Sequence, residues 1–368
     1  MACCRTRASW LTTDAGIDGG AQGVSPYPQF GLGLWIADAV NRTESAQIGP
    51  LVLAAALVAS STLVLAAAET EQPARDWLEK MANAGQALNY DGTFVYRNGD
   101  RMESMRIIHR AEPGNERERM VSLTGAPREV LRDNEKVTCI LPDNQSVVVA
   151  KSRPRSVALR TFDPQEGFAE HYRLSSRSGE RVAGRETMMV SVGAVDEFRY
   201  GYRLWLDRIT GLLLKLELIG ETNQALEQFV YTDIKLPVRI PDHLLEPAIS
   251  GEGFTWYRDD LTKTTSEPES DDGWSVHWLP EGFEMSDRVY NPTGVSRMPV
   301  EHLVYSDGLA SLSVFIERLD TAAERLEGRS RMGAINAYGS VIGSFQVTVV
   351  GEVPGVTVER VGKSVNRR

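Results

Sequence analysis

Apolar residues change their spacing along the chain, and those changes divide it. Trp77, Met81, Ala84 and Leu88 recur at helical intervals, Ala74 and Leu78 widen the stripe, and Pro73 suits a first helical turn. The spacing predicts an amphipathic helix laid on an apolar surface. Short alternating runs follow, separated by turn chemistry. Thr93-Phe94-Val95-Tyr96-Arg97 ends at Asn98-Gly99-Asp100, a strong hairpin signal, and Ser104 to Arg110 answers it before Glu112-Pro113-Gly114-Asn115. Arg117 to Leu123, Arg128 to Arg132, Val137 to Leu141 and Ser146 to Lys151 continue the series. It resumes at Thr187–Val192, Tyr200–Leu206, Leu212–Ile219 and Leu226–Ile234, with a short helix expected near Gln165–Tyr172. Turns recurring about every ten residues predict an antiparallel meander. A sheet of that many strands must curve around its contents, and the helix carrying Trp77 is the natural filler of its concave side.

From Pro247 through Gly273 the chain turns polar and acidic, ending in Thr264-Thr265-Ser266-Glu267-Pro268-Glu269-Ser270-Asp271-Asp272-Gly273, a composition that buries too little to order itself. A linker is expected there. Alternation restarts at Trp274-Ser275-Val276-His277-Trp278-Leu279 and recurs at Glu301–Ser306, Ala310–Glu317, Ala334–Ile342 and Gln346–Val350. Val358, Val361 and Val365, after Pro354, predict a closing helix. The expected fold class is therefore β-rich α+β: a large curved antiparallel sheet or half-open barrel with helices, plus a small C-terminal α+β domain. The expected division is 69–246 for the first domain, 247–273 for the linker and 274–368 for the second.

The N-terminal region reads differently. Residues 48–68 form an uncharged run that is Ala-rich, carries Ser60, Ser61 and Thr62, and ends Ala66-Ala67-Ala68, which fits a signal peptide cleaved before Glu69. An uncleaved signal anchor is the other reading, since the run is long enough to span a membrane. Residues 1–47 have no apolar period and are expected to be either disordered or upstream of the true translation start.

Charge narrows the function classes. The net charge of −10 argues against nucleic-acid binding, which usually shows a basic stripe. Only three of the 40 basic and four of the 50 acidic side chains precede residue 69, so the acidity belongs to the domains. Catalytic chemistry is sparse. Five histidines (His109, His171, His243, His277, His302) show no zinc-like spacing, and no nucleophile elbow, phosphate loop or dinucleotide fingerprint occurs. No cofactor and no metal is expected. His109 and His277 lie within strands and read as structural or surface residues. Cys139, the one cysteine beyond the leader, reads as a small buried apolar residue rather than a reactive thiol.

Two features suit binding. Lys151, Arg153, Arg155 and Arg160 place four positive charges in ten residues of an acidic protein, a patch fit for lipid phosphates or an acidic peptide, or simply a solvated loop. Phe94, Tyr96, Trp205, Phe229 and Tyr231 are aromatic strand positions that could line an acyl-chain cavity or pack a core.

Several segments together resemble the RseB/MucB family of regulators of the envelope-stress sigma factor. They are Gly92-Thr93-Phe94-Val95-Tyr96, Ile107-Ile108-His109, Gly125-Ala126-Pro127-Arg128-Glu129-Val130, Val137–Pro142, Tyr202-Arg203-Leu204-Trp205-Leu206-Asp207, Thr210-Gly211-Leu212-Leu213-Leu214-Lys215 and Trp278-Leu279-Pro280-Glu281-Gly282-Phe283. No single motif is specific; their order from about residue 72 to the C-terminus is. The resemblance implies a periplasmic protein whose large domain is like the lipoprotein carriers LolA and LolB. It implies binding to the periplasmic part of a membrane anti-sigma factor of the RseA/MucA type, protection of that factor from proteolysis, and release by lipopolysaccharide. A lipid or lipoprotein carrier with no signalling partner is the alternative, and a hydrolase a distant third. Homo-oligomerisation is left open.

Overall fold

The structure is a computed structural model that describes residues 72–151, 168–258, 273–292, 299–319 and 325–367. The leader and the segment 1–47 lie outside the described residues, as do Arg153, Arg155 and Arg160.

Helix α1 spans 72–87 and buries Ala74, Leu78, Met81 and Ala84, the stripe its spacing predicts. The meander follows as β1 (Tyr90–Asn98), β2 (Arg101–Glu112), β3 (Asn115–Ser122), β4 (Glu129–Asp133), β5 (Lys136–Leu141) and β6 (Ser146–Lys151). The four-residue α2 (Phe168–His171) leads into β7 (Tyr172–Ser178), β8 (Thr187–Ala194), β9 (Gly201–Asp207), β10 (Leu213–Ile219) and β11 (Ala225–Lys235), and β12 (Thr255–Arg258) comes last. All twelve join one curved sheet that does not close, in the order β12-β6-β5-β4-β3-β2-β1-β11-β10-β9-β8-β7. Pairing of β1 with β11 unites the two meanders. Helix α1 lies on one face: Ala74, Leu78 and Met81 pack with Leu204, Leu206, Leu216 and Leu218. The opposite face at Ile108 is covered by Ile240 and Leu245.

Past Glu246 the chain still contacts the large sheet. The Ala248 N–H donates to Glu129 Oε2 at 2.9 Å, and β12 pairs in parallel with β6 from Thr255 to Arg258. Backbone pairing, which needs no apolar side chains, keeps this segment on the sheet edge although all four residues of β12 are exposed.

The small lobe contains a six-stranded antiparallel sheet, ordered β14-β15-β16-β19-β18-β17, from β14 (Glu284–Pro292), β15 (Pro299–Ser306), β16 (Ser311–Arg318), β17 (Gly328–Met332), β18 (Ile335–Ile342) and β19 (Phe345–Gly351). Helix α3 (Gly355–Ser364) buries Val358 and Val361 with Val347 and Val349 of this sheet. Strand β13 (Trp274–Val276) pairs with β20 (Val365–Arg367), so the predicted strand at Trp274 is real but short.

Cys139 is fully buried in β5, as its apolar setting predicts. Cys139→Ser is expected to lower stability by about 1–3 kcal/mol, since a hydroxyl there loses its water. Chemical denaturation checks this; loss of partner binding in a fully folded mutant would give the thiol a functional role.

Candidate functional site

Four of the five aromatic positions converge. Register places Phe94 opposite Tyr231 and Tyr96 opposite Phe229 across β1 and β11. Their rings pack closely: Phe94 to Phe229 at 4.7 Å, Phe229 to Tyr231 at 5.0 Å in an edge-to-face pair. Phe94 and Tyr231 are buried; Phe229 also borders the core under α1. The Tyr96 hydroxyl donates to Glu227 Oε2 at 2.6 Å, so its polar end has a partner. Burial, first, and then the nearby Tyr90 and Glu118 push the Tyr231 hydroxyl well above its ordinary range, keeping it protonated. Trp205 joins the same contiguous core, but its ring partner is Lys215, whose ammonium sits 4.0 Å from the ring centre. The cluster is therefore a packed apolar layer beneath α1. A polar cavity of about 370 Å³ lies elsewhere, lined by Asn89, Arg110, Glu112, Arg239, Ile240, Pro241 and Asp242. Of the basic patch, Lys151 is placed at the end of β6.

A second assembly, absent from the sequence reading, joins the two lobes. The side chain of Arg199, in the turn before β9, is wholly buried and meets the equally buried side chain of Asp307, in the small lobe, at 2.6 Å. Its guanidinium also donates to the Glu281 carbonyl at 2.6 Å and pairs with Asp196 at 2.9 Å. Asp307 accepts the Tyr172 hydroxyl at 2.8 Å. Burial, and next the Asp307 carboxylate, raise the Tyr172 hydroxyl well above its ordinary range, so it stays a donor. The Arg199 guanidinium lies 5.5 Å from the Tyr172 ring centre and 5.3 Å from that of Phe283.

Neutral contacts surround this charge. Thr357 Oγ1 donates to the Phe198 carbonyl at 2.8 Å, and Asn336 Nδ2 donates to the Tyr200 hydroxyl at 2.9 Å. Phe198 meets Trp278 edge-to-face at 5.1 Å, with Arg360 4.0 Å over the Trp278 ring. Leu309 and Ala334 of the small lobe belong to the same core as Tyr200 and Tyr202. Gly282 presses on the His171 ring with φ of +81°, so a side chain there would meet both strain and a clash. The sequence signal was indirect: Asp307 lies between two predicted strands, and Glu281, Gly282 and Phe283 entered only within a family-like segment.

Both lobes match one family. Residues 73–249 match the MucB/RseB N-terminal domain and residues 268–366 the MucB/RseB C-terminal domain. The chain belongs to the MucB/RseB family. Among its relatives is the sigma factor AlgU regulatory protein MucB of Pseudomonas aeruginosa, 34% identical over 314 residues, covering 84% of this chain and 96% of that protein. The sigma-E factor regulatory protein RseB of Escherichia coli K12 is 27% identical over 325 residues, covering 86% of this chain and 97% of that protein. A solved complex of Pseudomonas aeruginosa MucA and MucB matches with a TM-score of 0.64 at 32% identity, over 80% of this chain and 99% of the matched one. A crystal structure of MucB matches with a TM-score of 0.58 at 31% identity, over 81% and 98%.

Proposed function

We propose that this MucB/RseB member acts in the periplasm as a regulatory binding protein rather than an enzyme. It holds the periplasmic segment of a membrane anti-sigma factor of the RseA/MucA type, protects that segment from regulated proteolysis, and is released by lipopolysaccharide or another lipid. Residues 48–68 serve as the signal peptide. The observation that carries the reading is the match, across both lobes, to a MucB structure solved with MucA. The alternative, a lipid carrier without a signalling partner, needs only the large lobe; the buried junction holding a second lobe to it weighs against that.

Lipid and anti-sigma segment acting as antagonists must weaken each other's binding by the same factor. A switch from mostly bound to mostly released needs roughly 5 kcal/mol of differential affinity, more than exposed charge pairs supply. Acyl chains therefore contribute most, entering the aromatic layer of Phe94, Tyr96, Phe229 and Tyr231 as α1 shifts, with Trp205 at its margin. Lys151, Arg153, Arg155 and Arg160 select phosphorylated headgroups.

The test is a pulldown of the purified chain with the periplasmic segment of its anti-sigma factor, under increasing lipopolysaccharide. Wild type is expected to bind and then release. Neutralising Arg153, Arg155 and Arg160 together is expected to leave the lipid-free complex intact and raise the lipid concentration needed for release. Failure to bind the segment sinks the regulatory reading; unchanged release by the triple mutant removes the patch from it.

A further inference from the structure

Three metal-ligand side chains meet on β2 and β3, where spacing along the chain had shown none. Register sets His109 opposite Glu118, and Glu116 lies on the same face two residues before Glu118. One ligand atom from each of the three lies within 4.8 Å of the other two. His109 is wholly buried and Glu118 nearly so, whereas the Glu116 side chain is 28% exposed and offers a route to solvent.

The histidine is oriented as ligating histidines are. Its Nδ1 lies 2.8 Å from the Leu88 carbonyl, just past the end of α1, and its ring stacks on Tyr90 at 4.7 Å. Donation from Nδ1–H to that carbonyl turns Nε2 toward Glu116 Oε1, 3.0 Å away. A carbonyl at a helix C-terminus and two carboxylates give this pocket a negative field that favours a cation.

A proton on Nε2 would satisfy Glu116 but would leave the second acid. Glu118 Oε2 is buried with no hydrogen-bond partner, although Arg132 stands opposite Glu118 on β4. An isolated buried carboxylate is costly, and a divalent ion between the three ligands compensates both acids at once. Two ligands bound at tetrahedral angles to one zinc ion stand roughly 3.4 Å apart, so the observed 3.0 Å pair needs to open by only a few tenths of an ångström.

We propose that His109, Glu116 and Glu118 bind one divalent transition cation of the zinc type, with a fourth position left for water. The ion ties β2 to β3 and anchors the end of α1 through Leu88, beside the aromatic layer. The site is independent of the anti-sigma reading, because its donors and its test involve neither partner nor lipid.

The probe is zinc alone, titrated calorimetrically into the chelator-stripped full chain, with thermal unfolding measured in parallel. Wild type is expected to bind one zinc per chain and to melt at higher temperature when loaded. Glu118→Gln and Glu116→Gln should each weaken binding by about tenfold or more and remove the thermal shift, whereas His277→Ala, at an exposed site, should change neither. If Glu118→Gln does not fold, Glu116→Gln decides alone. Absence of zinc binding by wild type, or equal binding by every variant, overturns the proposal; the first result leaves an imidazolium–carboxylate pair in its place.

Discussion

Arg199→Ala is expected to destabilise the protein by about 3–5 kcal/mol, the usual loss when one partner of a buried ion pair is removed. The Asp307 side chain is fully buried, so its charge would keep only neutral donors, the Tyr172 hydroxyl and the Leu309 and Ala310 N–H groups. Asp196 would keep only the Phe198 N–H, and the Glu281 carbonyl would lose its guanidinium donor. The cost therefore comes chiefly from what remains unpaired rather than from the attraction lost. Pairing Arg199→Met with Asp307→Asn should recover part of it, since the second change removes the stranded charge. Denaturant unfolding of both singles and the double gives the coupling. Additive losses would mean that Arg199 and Asp307 are not coupled and that the other contacts hold the junction.

Phe94→Ala should cost a similar amount, about 3–5 kcal/mol, by a different route. The ring is 2% exposed and touches Phe229 and Tyr231, so truncation opens a void that two neighbouring aromatics cannot close without leaving their own contacts. Phe94→Leu, which keeps most of the volume, should cost well under half as much. Thermal and denaturant unfolding separate the two variants. If Phe94→Ala loses less than about 1 kcal/mol, the layer is loosely packed and already accommodates a void.

The contrast between visible and hidden strands has one cause. Central strands such as β9, with Tyr202, Leu204 and Leu206 buried, alternate strongly because a face of each is covered. Five strands went unread: β12 and β7, which bound the large sheet, β14 and β17, which bound the small one, and β20, which pairs with β13 alone. Each has one neighbour instead of two. β12 and β17 are exposed along their whole length, and their hydrogen bonds leave no hydrophobic pattern behind. The same limit hid the sites. Tyr96 and Phe229 are 133 positions apart in the chain and meet only through β1–β11 pairing, and Arg199 finds Asp307 across the two lobes. His109 and Glu118 flank a hairpin and were within reach of a two-strand register argument; linear metal spacing could not show them.

The parallel pairing of β12 shortens the tether between the lobes. Arg258 is held at the large-sheet edge and Trp274 starts the small lobe, so sixteen chain steps join the two anchors instead of the twenty-eight that an exit after Glu246 would allow. Fully extended, sixteen steps reach at most about 55 Å. A shorter covalent connection confines each end to a smaller volume around the other, whatever path the intervening residues take. A small lobe displaced from Arg199 and Tyr172 remains a local competitor for the surface it has left. Any ligand seated there must outlast that intramolecular return.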